Sequence, residues 1–188
     1  MPITGYLVNN AKNFKDDIAL VEINPEVEEK SRMTWREYSL IEPSNTNSLR
    51  KEMTWGEFDK KANRFCNLLL SRGIKKGDRV AILLMNSLEW LPVYFGILKA
   101  GCLAVPLNFR YSGEEIKYCL DLADCEVLVF GPEFTERVDS VLPELTMVKT
   151  MLFVGIYLEC LGLSCGGVCD CLLGQGSGTQ IKIMGGQS

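Results

Sequence analysis

Between Gly77 and Gly131 apolar and helical segments alternate without a break, and this limits the folds open to the chain more than any other feature. Arg79 to Met85, RVAILLM, is a short apolar run rich in branched residues. Ser87 to Ala100 reads as a helix closed by Gly101, and Cys102 to Leu107, CLAVPL, is apolar again. Ser112 to Ala123 reads as a second helix and Glu126 to Phe130, EVLVF, as a third strand. Short apolar runs separated by helical segments are the pattern of βαβ units on a parallel sheet. Strands covered on both faces read as continuous rather than alternating apolar runs, because neither side meets water. The expected fold is therefore α/β: three layers, with a mainly parallel sheet built from residues 79 to 154.

Local signals agree. Leu88, Leu91, Tyr94, Phe95 and Leu98 fall at helical spacing, with Trp90, Val93 and Ile97 on other faces, so this helix should be buried nearly all round. Pro92 removes one hydrogen bond near its start, which predicts either a small kink or a helix that begins after Ser87. Ser112 and Glu115 form a capping box, in which each side chain satisfies a backbone N–H that the first helical turn leaves open. After Gly131-Pro132, Phe134, Val138 and Val141 make the apolar face of a further helix limited by Pro143, and Met147 to Val154 is a fourth strand candidate.

Upstream, residues 5 to 14 fit a short helix and Ile18 to Ile23 a strand. Thr34-Trp35-Arg36-Glu37 and Thr54-Trp55-Gly56-Glu57 are near-copies, and both read as capping boxes. Two copies do not make a solenoid. The second opens a long helix whose stripe is Trp55, Phe58, Ala62, Phe65 and Leu69, with Lys60, Lys61 and Arg64 off it, ending at Gly73. Residues 41 to 50 read as an exposed loop.

The composition changes after Gly155. Residues 155 to 188 hold nine of the 17 glycines and four of the eight cysteines, and their charges are Glu159, Asp170 and Lys182. Residues 1–154 are thus expected to form the folded domain, and 155–188 a disordered tail or one foreign to that fold.

A net charge of −4 gives no reason to expect nucleic-acid binding. Met1 to Asn10 lacks the basic start and apolar core of a secretory signal, so a cytoplasmic location with reduced cysteines is expected. There is no histidine, which removes the commonest general base and imidazole metal ligands.

From Thr54 to Val154, with matching residues at 53–58 and 60–130, the sequence resembles the N-terminal part of AMP-forming acyl-CoA synthetases, in the adenylate-forming ligase superfamily. Met53 to Phe58 is similar to that family's early Leu-Thr-Tyr-x-Glu-Leu segment. Leu98-Lys99-Ala100-Gly101-Cys102-Leu103-Ala104-Val105-Pro106-Leu107-Asn108 is similar to its Leu-Lys-Ala-Gly-x-x-x-Val-Pro-Leu-Asp/Asn segment. The resemblance implies an enzyme that uses ATP and Mg²⁺ to convert a carboxylic acid, such as a fatty acid, into an acyl-adenylate and then transfers the acyl group to CoA. It places both segments in the supporting framework. The family's phosphate loop, roughly Thr-Ser-Gly-Thr-Thr-Gly-x-Pro-Lys-Gly, has only a partial echo in Ser177-Gly178-Thr179-Gln180-Ile181-Lys182-Ile183-Met184-Gly185, with Lys182 two places early. A flexible polar tail is the better reading there. No catalytic, cofactor-binding or metal-binding residue is therefore assigned, and no cofactor to this chain alone; ATP, Mg²⁺ and CoA belong to a full-length relative. The expectation is an inactive, truncated or frame-shifted N-terminal fragment, with an unpaired strand edge and poor solubility, or one completed by a separate downstream chain.

Other readings have a plainer counterpart. Cys160, Cys165, Cys169 and Cys171 could hold a metal, but lack paired Cys-x-x-Cys spacing. A non-catalytic interaction protein with a metal- or partner-binding tail is the alternative function. Met151 to Gly174 is apolar, but Glu159 and Asp170 argue against a membrane span. Gly73 to Asp78, GIKKGD, lacks phosphate-loop spacing and reads as a helix-to-strand turn. Cys66, Cys102, Cys119 and Cys125 read as small core or near-surface thiols.

Overall fold

The computed structural model describes residues 1–23, 50–155 and 180–185, the last group as backbone course only. It divides into two compact units, Met1–Lys61 and Ala62–Ser188. The first Thr-x-x-Glu copy lies outside the described residues, as does the loop assigned to 41–50 except for Arg50, which instead opens a strand.

In the first unit, α1 (Ile3–Asn13) and β1 (Ile18–Ile23) stand as the sequence predicts. β2 (Arg50–Thr54) was not predicted: RKEMT has no apolar run, and only Met53 is buried. It pairs antiparallel with β1 from Ile18↔Thr54 to Ile23↔Arg50, with an irregularity between Ile18 and Leu20. A two-stranded ribbon can expose most side chains, so its strands need not carry an apolar signature. α2 (Trp55–Ser71) follows at once. Its box is made as expected: Thr54 N–H donates to Glu57 Oε2 at 2.9 Å, and Glu57 N–H to Thr54 Oγ1 at 3.3 Å. Carbonyls from the α1–β1 connection take two more of the open donors, Trp55 N–H to Asp17 O at 3.0 Å and Gly56 N–H to Lys15 O at 2.9 Å. A Cβ on Gly56 would stand 3.0 Å from that Lys15 oxygen, so the approach needs glycine.

The second unit carries the alternating elements: β3 (Arg79–Leu83), α3 (Trp90–Lys99), β4 (Leu103–Pro106), α4 (Gly113–Leu122), β5 (Val127–Phe130), α5 (Thr135–Val141) and β6 (Thr150–Gly155). A 3₁₀ turn, Pro132–Phe134, leads into α5. The strands form a sheet in the order β4-β3-β5-β6-β7, where β7 is Gln180–Gly185. The pairs β3–β4, β3–β5 and β5–β6 are parallel. Alternate residues bury on opposite faces, as strand geometry requires. Val80, Ile82, Val127, Val129, Leu152 and Val154 pack with Phe65 and Leu69 of α2 and Val93 and Ile97 of α3. Ala81, Leu83, Leu128, Phe130 and Met151 pack with Ile116 and Leu120 of α4 and with Phe134, Val138 and Val141. These are the three layers expected from the sequence.

Some details differ. β4 lies at the edge of the sheet, so Leu103 is 54% exposed and its strand is not covered on both faces. α3 starts at Trp90, after Ser87, which is the second of the two outcomes expected from Pro92. Pro92 then falls in the first turn, where its missing N–H removes no intrahelical bond, so no kink is needed. Residues 180–185, assigned from composition to a flexible tail, instead form β7, antiparallel to β6 from Thr150↔Gly185 to Gly155↔Gln180. Gln-Ile-Lys-Ile alternates polar with β-branched residues, a strand pattern too short to stand out among the surrounding glycines. The rest of the tail, 156–179 and 186–188, lies outside the described residues.

Candidate functional site

From β3 the chain crosses by α3 on one face to β4, then returns by α4 on the other face, past β3, to β5. Adding strands first on one side of β3 and then on the other requires this change of face if each crossover keeps the same hand. The order reverses between β3 and β5. In open α/β sheets ligands sit outside the carboxyl ends of the strands at such a reversal, where the diverging loops leave a crevice. The segments at that edge are 84–89 after β3, 107–112 after β4 and 131–134 after β5, and they define the candidate site.

The strand ends are held together by backbone bonds. Gly131 N–H donates to Leu83 O at 3.1 Å, Leu107 N–H to Ile82 O at 2.8 Å, and Phe134 N–H to Gly131 O at 3.2 Å. A Cβ on Gly131 would lie 2.6 Å from Glu133 Oε2, the mobile end of an exposed side chain, and 3.4 Å from Leu84 Cδ2. Met85, Asn86, Ser87, Pro132 and Glu133 are exposed along the rim. Ser87 does not cap α3; its Oγ accepts from Glu89 N–H at 3.3 Å. Arg137 ties α5 to the segment after β4, with Nη1 donating to Phe109 O at 2.7 Å and Tyr111 O at 3.0 Å. Its guanidinium lies over the Phe134 ring, 5.3 Å from the centroid. Ser112 and Glu115 make the expected capping box on α4, and the Ser112 N–H and hydroxyl hold the Glu115 carboxyl below its ordinary pKa. Beside them the Cys119 thiol raises the Tyr111 phenol, because each anion opposes the other, and burial adds to the effect.

This edge is a fixed frame, with Glu133 exposed after β5 and Glu114 and Glu115 exposed in the first turn of α4. Among the described residues no group of three or more His, Cys, Asp or Glu could hold a metal ion. In the Gly73 to Asp78 turn three N–H groups bond within the protein: Lys75 N–H on Asp78 Oδ2 at 2.7 Å, Asp78 N–H on Lys75 O and Gly77 N–H on Gly101 O, both at 3.0 Å. The turn closes on itself and joins α2 to β3, as its spacing predicts. Residues 180–185 run as an extended strand, so the partial phosphate-loop echo does not form a loop there. Cys160, Cys165, Cys169 and Cys171 lie outside the described residues. Cys66, Cys102 and Cys125 are buried and Cys119 partly so. No helix among the described residues is long and apolar enough to cross a membrane. Neither the strand reversal nor the Arg137 tie was read from the sequence. The reversal depends on strand order, which a run of similar apolar segments does not encode, and Arg137 carries no motif.

The profile of the AMP-binding enzyme family matches residues 7–156. The chain belongs to this family. Among AMP-binding relatives, a medium/long-chain-fatty-acid–CoA/3-oxocholest-4-en-26-oate–CoA ligase of Mycolicibacterium smegmatis is 40% identical over 103 residues, covering 55% of this chain and 19% of that protein. The long-chain-fatty-acid–CoA ligase FadD13 of Mycobacterium tuberculosis is 31% identical over 113 residues, covering 60% of this chain and 22% of its own. The fold is that of a solved Mycobacterium tuberculosis fatty acyl CoA synthetase, with a TM-score of 0.63 at 24% identity over 80% of this chain and 26% of the other. The chain thus spans about a fifth of the length of the curated relatives it matches.

Proposed function

We propose that this chain is framework from the N-terminal part of an AMP-forming acyl-CoA (fatty-acid) ligase, and that by itself it forms no acyl-adenylate. In the complete ligase a carboxylic acid, ATP and CoA are the ligands, and Mg²⁺ offsets phosphate charge. Residues 1–154 supply the sheet and its carboxyl-end rim, against which such a site is built. The observation that carries this reading is the coincidence of the family match with a three-layer sheet whose strand order reverses between β3 and β5.

Two measurements test the two halves. Titration calorimetry of the purified chain with Mg²⁺ and ATP should show no saturable heat; one-to-one binding would overturn the inactivity and direct mutation to residues 177–186. For the framework role, the matched segment of the Mycolicibacterium smegmatis ligase is replaced by this chain's counterpart. Fatty-acid-dependent pyrophosphate release should persist within about tenfold, the loss expected from roughly 1.4 kcal/mol of misfit. A folded chimera without activity would sink that half.

A further inference from the structure

β6 pairs in two ways. It runs parallel to β5 from Val127↔Thr150 to Phe130↔Phe153, and antiparallel to β7 on its other side. Its sequence, Thr150-Met151-Leu152-Phe153-Val154, has no charge and no proline, and Met151, Leu152 and Val154 are buried. A bare edge of this composition is a template for another chain, because its backbone N–H and C=O groups face outward along an apolar, strand-forming run. The opposite edge is already blunted: β4 is four residues long and contains Pro106. β7 itself contains Lys182, and a lysine on an edge strand discourages further pairing.

From this arrangement we infer that β7 is a cap in cis: residues 180–185 occupy the β6 edge and so prevent a second copy of the chain from pairing there. Segments of one chain meet at effective concentrations on the order of millimolar, well above those at which a purified protein is handled. Lengthening the connection costs little, because closure entropy grows only with the logarithm of loop length. The Gly/Cys-rich tail thereby acquires a role, returning a strand to the sheet, that does not depend on the ligase reading.

Alternation in an antiparallel ladder supplies the test. Of two adjacent residues in β7, one directs its N–H to β6 and the other away from it. Proline removes an N–H and is tolerated where that group faces solvent. Lys182→Pro and Ile183→Pro are therefore compared with wild type in the full chain, by residue-resolved hydrogen exchange of the β6 amides and by sedimentation over a range of concentrations. Wild type should be monomeric with β6 protected. One proline variant should lose at least tenfold protection in β6, keep it in β3 and β5, and self-associate; its neighbour should match wild type. Equal behaviour of the two variants overturns the cap. So does a wild-type dimer with β6 protected, since β7 would then be shared between copies. Loss of β3 and β5 protection also overturns it, since β7 would then be a core strand.

Discussion

Asp124, at φ 47°, is the one non-glycine residue with a left-handed backbone among the described residues. Its neighbours explain why. Cys125 N–H reaches Leu120 O at 2.9 Å and Asp124 N–H reaches Asp121 O at 3.2 Å, so α4 ends in the same 6→1 and 5→2 bonds that close α2 at Gly73 and α3 at Gly101. The two glycines announce those ends in the sequence. Asp124 does not, because a short polar side chain tolerates the conformation without being required by it. Asp124→Gly should stabilise the protein by about 0.5–1 kcal/mol, the relief of left-handed strain less the added chain entropy; an unchanged or lower urea midpoint would contradict this. Next to it, Cys125 is fully buried, and burial pushes its thiol up to about 11, with Arg79 opposing and Asp124 adding. In the unfolded chain a thiol titrates near about 8.5. The folded state therefore favours the neutral form. Its contribution is complete below the unfolded pKa and is lost as pH rises from there to about 11. Tm should fall across that window in wild type, and less steeply in Cys125→Ala.

At the scale of elements, α2 and α3 meet through Gly96. A Cβ there would lie 2.8 Å from Ala62 O and 2.9 Å from Phe65 Cβ, both backbone-bound atoms that cannot swing away. Lys99 Nζ donates to Asn63 Oδ1 across the same pair of helices at 2.6 Å. By helix propensity alone Gly96→Ala should stabilise by about 1 kcal/mol. The packing term has the opposite sign and is larger, about 1–3 kcal/mol for overpacking. The expected outcome is net destabilisation in urea, with unchanged m-value; a gain in stability would mean that the helices can separate freely. Ser112→Ala on α4 should cost about 1 kcal/mol through loss of the capping box, seen as a lower thermal midpoint. The box was legible because its residue types and spacing are the mechanism. Gly96 was not, because its reason lies on another helix. β2 was not, because a ribbon strand with one buried side chain has no periodicity to read.

Across the whole molecule, the two-faced sheet was legible because the chemistry of β3 and β5 leaves little choice. Val80 to Leu83 and Val127 to Phe130 are buried on both sides, and strands flanked by strands have no solvent face to mark with polar residues. What stayed hidden was order: similar apolar runs do not say which one lies at the edge or where the sequence of neighbours reverses. That order sets a stability gradient. Amides of β3 and β5 should exchange most slowly and those of β1 and β2 faster, because a two-stranded ribbon is marginal without further burial. Hydrogen exchange under native conditions checks this, and faster exchange in β3 than in β1 would refute it.

The reversal at β3 also bears on how the protein is made. β3 pairs with β4 on one side, but its other partner, β5, is encoded roughly fifty residues later, and a ribosome adding about 5–20 residues per second takes several seconds to reach it. For that interval Ala81 and Leu83, which face α4 and α5 in the finished sheet, have nothing to cover them. The nascent chain must therefore carry an apolar strand half-paired through synthesis, and that stage is where a cell's chaperones would meet it first.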